Sequence, residues 1–294
     1  MSTVKNKSAH HYRELKELYP LRRKIRSAFR DITILSFSLF SKFDKTQGWV
    51  RFPCYHHIFD DERKDFERQI KFLKNISEPI SLDATVDMLE KKSRISGRYF
   101  CVTFDDGFKN CAVNAVPILI ENSCTGAFFL PTDYIGCDIK KDREIVDRFF
   151  KVSSDVYPVP VEFMDWEDCR ELLKAGMTIG SHTCSHVPID TLNDEELRAE
   201  LLNSKRKIEK ELKIECNHFC CPWGRIGKHF TIEREPRIAR EIGYKSFFTT
   251  ERGPNCNGAD PLFIRRDHLI SEWGNYQLRY FFQSNNAQRH SCLL

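Results

Sequence analysis

From Trp49 to Arg266, short runs of β-type apolar residues alternate with segments whose apolar positions recur at helical spacing. This alternation restricts the fold more than any other feature. Trp49 to Ile58 is aromatic and β-type, and Glu62 to Lys74 carries Phe66, Ile70 and Leu73 at helical spacing. Leu82 to Lys92 reads as a short helix with Ser81 as its cap, and Tyr99 to Phe104 as a strand. A helix from about Ala112 to Glu121, a buried strand from Cys124 to Leu130 and a helix from Asp165 to Ala175, stopped by Gly176, follow. Met177 to Gly180 is a short strand, and Asn193 to Leu212 is a long helix with Asn193 as its candidate cap. Strand-like pieces recur near Asn217 to Cys221, Tyr244 to Thr250 and Leu262 to Arg266. Strands that alternate with helices point to a parallel sheet with crossover connections. About seven of them over this length suit an α/β fold, a single distorted (β/α) barrel. Residues 1–46 read as an N-terminal helical extension, 47–284 as the barrel and 285–294 as a tail. Asp138 to Pro160 reads as a charged insertion, a loop with a short helix.

Composition excludes several classes. The 12 Cys in 294 residues are too sparse for a disulfide scaffold, and no CxxC pair suggests a zinc ribbon. Most read as reduced core residues. Met1 to Pro20 is polar and charged, unlike a secretory signal, so the expected compartment is cytoplasmic. The net charge of +4 is spread along the chain, which argues against a nucleic-acid partner. Leu21, Ile25, Ala28, Ile32, Leu35 and Leu39 recur at helical spacing, with Arg22, Arg23, Lys24, Arg26 and Arg30 around the first half of the stripe. One reading packs this helix on the barrel. The other lays residues 21–40 on a partner, or on the inner face of an anionic membrane. The run Lys205 to Lys210 reads as a solvated helix face.

Two motifs end strands, where such barrels carry their reactive groups. Thr103-Phe104-Asp105-Asp106-Gly107 sends adjacent carboxylates to different sides of an extended chain, so that one can bind a cation while the other faces a substrate. Taken alone it also fits a plain Asp-Asp-Gly turn. Gly180-Ser181-His182-Thr183-Cys184-Ser185-His186 carries two His at a spacing used for metal ligands. Pro188 disfavours helix at Val187, so the pair is expected in a turn. Two His and one carboxylate form a known catalytic set for zinc or iron. An acidic phosphatase pair with Mg²⁺ is a competing reading that the His pair fits poorly.

The two motifs resemble the first and second motifs of the polysaccharide deacetylase family, which has the NodB-type fold of carbohydrate esterase family 4. Phe52 to Ile58 (FPCYHHI), Leu130 to Gly136 (LPTDYIG), Phe219 to Gly224 (FCCPWG) and Phe263 to Arg266 (FIRR) resemble further family segments, so the likeness covers about residues 49–270. It implies a metal-dependent hydrolase that removes acetyl groups from N-acetylated amino sugars. By it, Asp105 is the general base and Asp106, His182 and His186 hold a divalent metal, expected to be Zn²⁺, with Fe²⁺, Co²⁺, Ni²⁺ and Mn²⁺ as alternatives. The third motif lacks its usual Arg, since Cys220 or Cys221 stands there, and Arg266 is the candidate to orient Asp105 in its place. The family's late Leu-x-His acid is not found. His268 is the nearest candidate by position, with His56 and His57 as alternatives. Trp223, Pro222 and His56 are expected to line the substrate pocket. Trp166 and Trp273 are further candidate sugar platforms, Trp166 reading better as core. Other readings of the same fold are a C–N hydrolase of another small amide, an O-deacetylase and a catalytically silent glycan-binding protein.

Overall fold

The computed structural model describes residues 11–14, 34–36 and 48–283, apart from 140, 143, 145–147 and 150–160. The C-terminal tail and most of the helix expected over 21–40 lie outside these residues, as does most of the insertion. One turn at Ile34–Ser36 is described, with Ile34 buried and Leu35 exposed. No helix among the described residues is long and apolar enough to cross a membrane.

The strands are β1 (Trp49–Arg51), β2 (Pro53–Tyr55), β3 (Glu78–Pro79), β4 (Arg98–Phe100), β5 (Val102–Phe104), β6 (Gly126–Leu130), β7 (Thr178–Ser181), β8 (His218–Cys220), β9 (Ser246–Phe248) and β10 (Asp267–His268). The helices are α1 (Arg63–Ile76), α2 (Leu82–Glu90), α3 (Lys109–Glu121), α4 (Trp166–Lys174), α5 (Asp194–Leu212), α6 (Glu235–Ile242) and α7 (Asn275–Gln283). Seven strands form one parallel sheet in the order β10-β2-β5-β6-β7-β8-β9, and β1-β4-β3 form a smaller parallel sheet. Ile264 bridges to Phe248 of β9, and β10 then pairs with β2, so this one stretch of chain joins the two edges of the large sheet. The result is the distorted (β/α) barrel that the strand and helix alternation calls for.

Strand alternation sorts the side chains. Ala127, Phe129, Cys220 and Phe248 pack with Phe52, Cys101 and Ile264 inside the barrel. Their neighbours Phe128, Leu130, Phe219 and Phe247 face the helices. Leu82, Val86 and Leu89 of α2 join the inner cluster and plug the N-terminal end of the strands. A Cβ on Gly180 would lie 2.6 Å from the Phe129 ring and 2.8 Å from the His218 carbonyl oxygen, so the inward Phe129 leaves room only for glycine on β7.

The long helix starts as its sequence suggests. Asn193 accepts from the amides of Glu195 and Glu196, and Glu196 reaches back to the Asn193 amide. Ser81 caps α2 by accepting from the Ala84 amide. Three expectations need correction. The strand expected at Leu262–Arg266 is only a bridge at Ile264, and regular pairing begins at Asp267, because the Arg265 and Arg266 amides donate to Asn255 Oδ1 and the Glu251 carbonyl instead of to a neighbouring strand. Lys205 is not solvated: its ammonium lies over the Tyr244 ring and donates to the Cys216 carbonyl. Trp273 is buried and stacked on Phe281, so it offers no platform to a sugar. Two helices not anticipated from the sequence, α6 and α7, complete the outer layer.

At the N-terminal end of the barrel His218 Nδ1 lies 2.8 Å from Ser246 Oγ, and His218 Nε2 lies 3.0 Å from Asp83 Oδ1. Thr178 Oγ1 donates to the other Asp83 oxygen at 3.1 Å. Ser246 is fully buried, so this Ser-His-Asp array is a strut between α2 and three strand starts. The hydrogen bond from His218 holds the Asp83 carboxyl below its ordinary value. The stability from this contact is therefore present above the ordinary Asp pKa of about 3.9 and lost as pH falls through the depressed value. Asp83→Ala should cost about 1 kcal/mol in urea unfolding at neutral pH, the low end for a buried partner left unpaired because Asp83 itself is largely exposed. The variant's deficit should shrink in acid.

Candidate active site

The C-terminal ends of β2, β5, β7 and β8, with the turn into β10, converge on one polar cluster. β5 ends at Phe104, and Asp105 and Asp106 follow at once, buried to 3% and 4% exposure. The two carboxylates part because Asp106 takes a left-handed φ of 69°, and not through plain extended alternation. Asp106 Oδ1 lies 3.5 Å from His182 Nε2 and 3.2 Å from His186 Nε2. His182 and His186 sit, as expected, in a turn after β7. One ligand atom from each of the three residues falls within 4.8 Å of the others.

These residues fit a divalent cation. Asp106 Oδ1 is buried yet accepts no well-formed hydrogen bond. Zinc bonds of about 2.0–2.1 Å place tetrahedral neighbours about 3.3 Å apart, which matches the Asp–His spacings above. His182 Nδ1 lies 2.8 Å from the Cys220 carbonyl oxygen, so that nitrogen carries the proton and Nε2 offers its lone pair to the cluster. Burial lowers the His186 pKa, against the opposing effect of Asp106, which favours the neutral imidazole that a metal needs.

Asp105 lies beside that cluster, with one ligand atom each of Asp105, His182 and Cys220 within 4.8 Å of one another. Arg266 Nη1 and Nη2 donate to its two oxygens at 2.7 Å each, and Arg266 Nε donates to the Thr249 carbonyl. Burial alone would raise the Asp105 carboxyl, but the guanidinium overrides it and holds the group well below the usual carboxylate range, helped by His182 and His56. The thiols of Cys54 and Cys220 each lie 3.7 Å from Asp105 oxygens. Burial pushes both thiols far up, so they stay neutral and act as weak donors. Cys220 therefore occupies the room beside Asp105, and the positive charge arrives from the turn into β10.

Of the three histidines weighed as acids, His56 alone approaches the carboxylates. Its Nε2 lies 4.0 Å from Asp105 Oδ2, and its buried Nδ1 has no hydrogen-bond partner among the described residues. His268 falls inside β10 and packs edge-on against His56 with ring centroids 4.9 Å apart. His57 turns to Glu62. Trp223 is half-buried, with its ring 4.6 Å from that of His186 and a left-handed φ of 55°, so it walls the site. Pro222 is buried beside it and Trp166 is packed against the core. Phe149, from the described part of the insertion, covers His186 at 4.7 Å.

A family model for polysaccharide deacetylases matches residues 92–247, more than half of the chain. The chain belongs to the polysaccharide deacetylase family. That membership makes it a deacetylase-type hydrolase directed at glycans and sets aside the phosphatase reading. YxkH of Bacillus subtilis (strain 168), itself assigned to the polysaccharide deacetylases, is 23% identical over 226 residues, 72% of this chain and 71% of that one. Among solved structures, IcaB from Ammonifex degensii aligns with a TM-score of 0.66 and 18% identity, over 81% of this chain and 99% of that one. The Streptococcus pyogenes deacetylase PplD, solved with acetate, gives 0.63 and 17%, over 81% of this chain and 100% of its own. These likenesses establish the shared fold of the family.

The guanidinium and carboxylate are too deeply placed for either to be removed alone without cost. Arg266→Ala should destabilise the protein by about 3–5 kcal/mol, the usual result of stranding a buried charge. The Asp105 carboxyl should then titrate at a higher pH, as followed by carboxyl ¹³C shifts or the pH dependence of unfolding.

Proposed function

We propose that this protein is a metal-dependent N-deacetylase acting on an N-acetylated amino sugar. One observation carries the reading: Asp106, His182 and His186 converge on a point beside a second carboxylate, Asp105, that Arg266 holds ionised. A divalent cation at that point, with Zn²⁺ first in expectation, would polarise the acetyl carbonyl and make a water acidic enough to attack near neutral pH.

The chain's own groups divide the remaining work. Asp105 accepts the proton of the attacking water. Its low pKa makes it a weak base, but the bidentate grip of Arg266 keeps it ionised and fixes the direction of its free lone pairs. His56 Nε2 stands 4.0 Å from Asp105 Oδ2, and burial keeps the ring neutral, so it takes up the proton that Asp105 gains from the water and passes it to the departing amine. It is better placed for this than His268, which packs against it. Trp223 and Phe149 flank His186 and exclude water from that side. The half-buried indole of Trp223 offers a flat face to a sugar ring, and Pro222 fixes the turn that presents it.

Acetate release from a panel of N-acetylated and O-acetylated sugars, with a non-sugar amide as control, tests the reading. Only the N-acetylated sugars should release acetate readily. Asp105→Asn should keep its metal and lose turnover, whereas His182→Ala should lose metal affinity. His56→Ala should slow the reaction by about 10²–10⁴-fold, the usual worth of a general acid, with a smaller effect for His268→Ala. Full activity in Asp105→Asn would remove that residue from the role of base.

A further inference from the structure

We infer that Glu200 of α5 is a positioning residue that sets the geometry of the His182–His186 turn and through it the affinity for the cation. The inference rests on Asp106, His182 and His186 being the ligands.

The turn is not one that the chain adopts freely. Thr183 and His186 have φ of 65° and 53°, left-handed values that residues with a side chain seldom keep unless their surroundings impose them. The surroundings grip the carbonyls first. The amides of Thr132 and Asp133, which follow β6, donate to the carbonyls of Thr183 and Cys184 at 3.1 and 2.9 Å. Tyr134 Oη donates to the Ser185 carbonyl at 3.0 Å. The His186 amide turns back to Thr183 Oγ1 at 2.9 Å.

Two amides in the middle of the turn remain, and both point at one carboxylate. Cys184 N and Ser185 N donate to Glu200 Oε2 at 2.9 and 3.1 Å, and Ser185 Oγ donates to Glu200 Oε1 at 2.7 Å. Successive amides around an anion form a concave nest, and bonds to an ionised acceptor are about twice as strong as neutral ones. The anchor is rigid. Leu197, Leu201 and Ser204 of α5 are buried against the barrel, and Ser204 Oγ lies 2.7 Å from Ser181 Oγ, next to His182. Glu200 touches neither imidazole. It fixes how far apart they stand, so its contribution should appear in metal affinity more than in the chemistry of the loaded site.

The test uses the full chain. Zinc affinity by chelator competition is measured for Glu200→Ala, Glu200→Gln, Ser185→Ala and His182→Ala, beside thermal unfolding of each metal-free protein. Glu200→Ala should weaken zinc binding about 10–100-fold, the usual effect of removing a group that orients a ligand. Glu200→Gln keeps one carbonyl oxygen for the two amides and should lose less, as should Ser185→Ala, which also serves if Glu200→Ala does not fold. Zinc affinity within about twofold of native in the Glu200 and Ser185 variants, while His182→Ala weakens it, would overturn the inference whatever happens to thermal stability. An undiminished affinity in His182→Ala would instead overturn the metal-site reading, and the clamp with it.

Discussion

The bidentate contact between Arg266 and Asp105 is the constraint on which the rest of the site depends. The two residues are 161 positions apart, and each is almost wholly buried. Taking both charges out of water is costly, and the mutual attraction offsets that cost only in a geometry such as this one, with two parallel hydrogen bonds and the guanidinium Nε also satisfied. The contact can form only when the turn into β10 lies inside the curled sheet, across from the end of β5. It therefore ties barrel closure to the orientation of the proposed base. The small neutral side chains of Cys54 and Cys220 complete the shell without adding a competing charge.

The barrel interior is layered by chemistry. Its middle is apolar, filled by Phe52, Phe129, Phe248 and their neighbours. At the N-terminal end lies the array of Asp83, His218 and Ser246, in which the Ser246 hydroxyl is fully buried. At the C-terminal end lies the cluster of carboxylates and imidazoles. Both ends hold an acid and a histidine within hydrogen-bonding reach, but only the upper cluster leaves a buried carboxylate oxygen without a proper donor. That difference separates the strut at one end from the proposed site at the other. Gly180 belongs to both, since the space it leaves admits Phe129 and sets β7 close enough to its neighbours for His182 to reach Asp106.

Much of this was legible locally. The alternation of strand and helix patterns, the caps at Ser81 and Asn193, and the placement of the Asp and His motifs at strand ends all follow from short-range propensity and spacing. The His pair was correctly excluded from a helix by Pro188 two residues on. Other features were not legible. α6 is only eight residues long, though Ile238, Ala239 and Ile242 sit at helical spacing, and the Lys205 ammonium over Tyr244 looks in sequence like any solvated lysine. Glu200 sits among many charged residues on a long helix, and nothing nearby in sequence separates it from them. Trp273 gives the opposite case, an aromatic residue whose position invited a binding role but whose ring stacks inside the structure.

By itself, then, the sequence determined the fold class, the family and the residue types able to hold a cation and activate water, because each of these is written in periodicity or in motifs of a few residues. The tertiary structure decided which groups pair. It turned Arg266 inward, brought His56 and not His57 to 4.0 Å from Asp105, and set the Glu200 carboxylate under the His182–His186 turn. Those choices depend on strand register and on the direction in which the sheet curls, and such properties arise only when segments far apart in the chain compete for the same buried space.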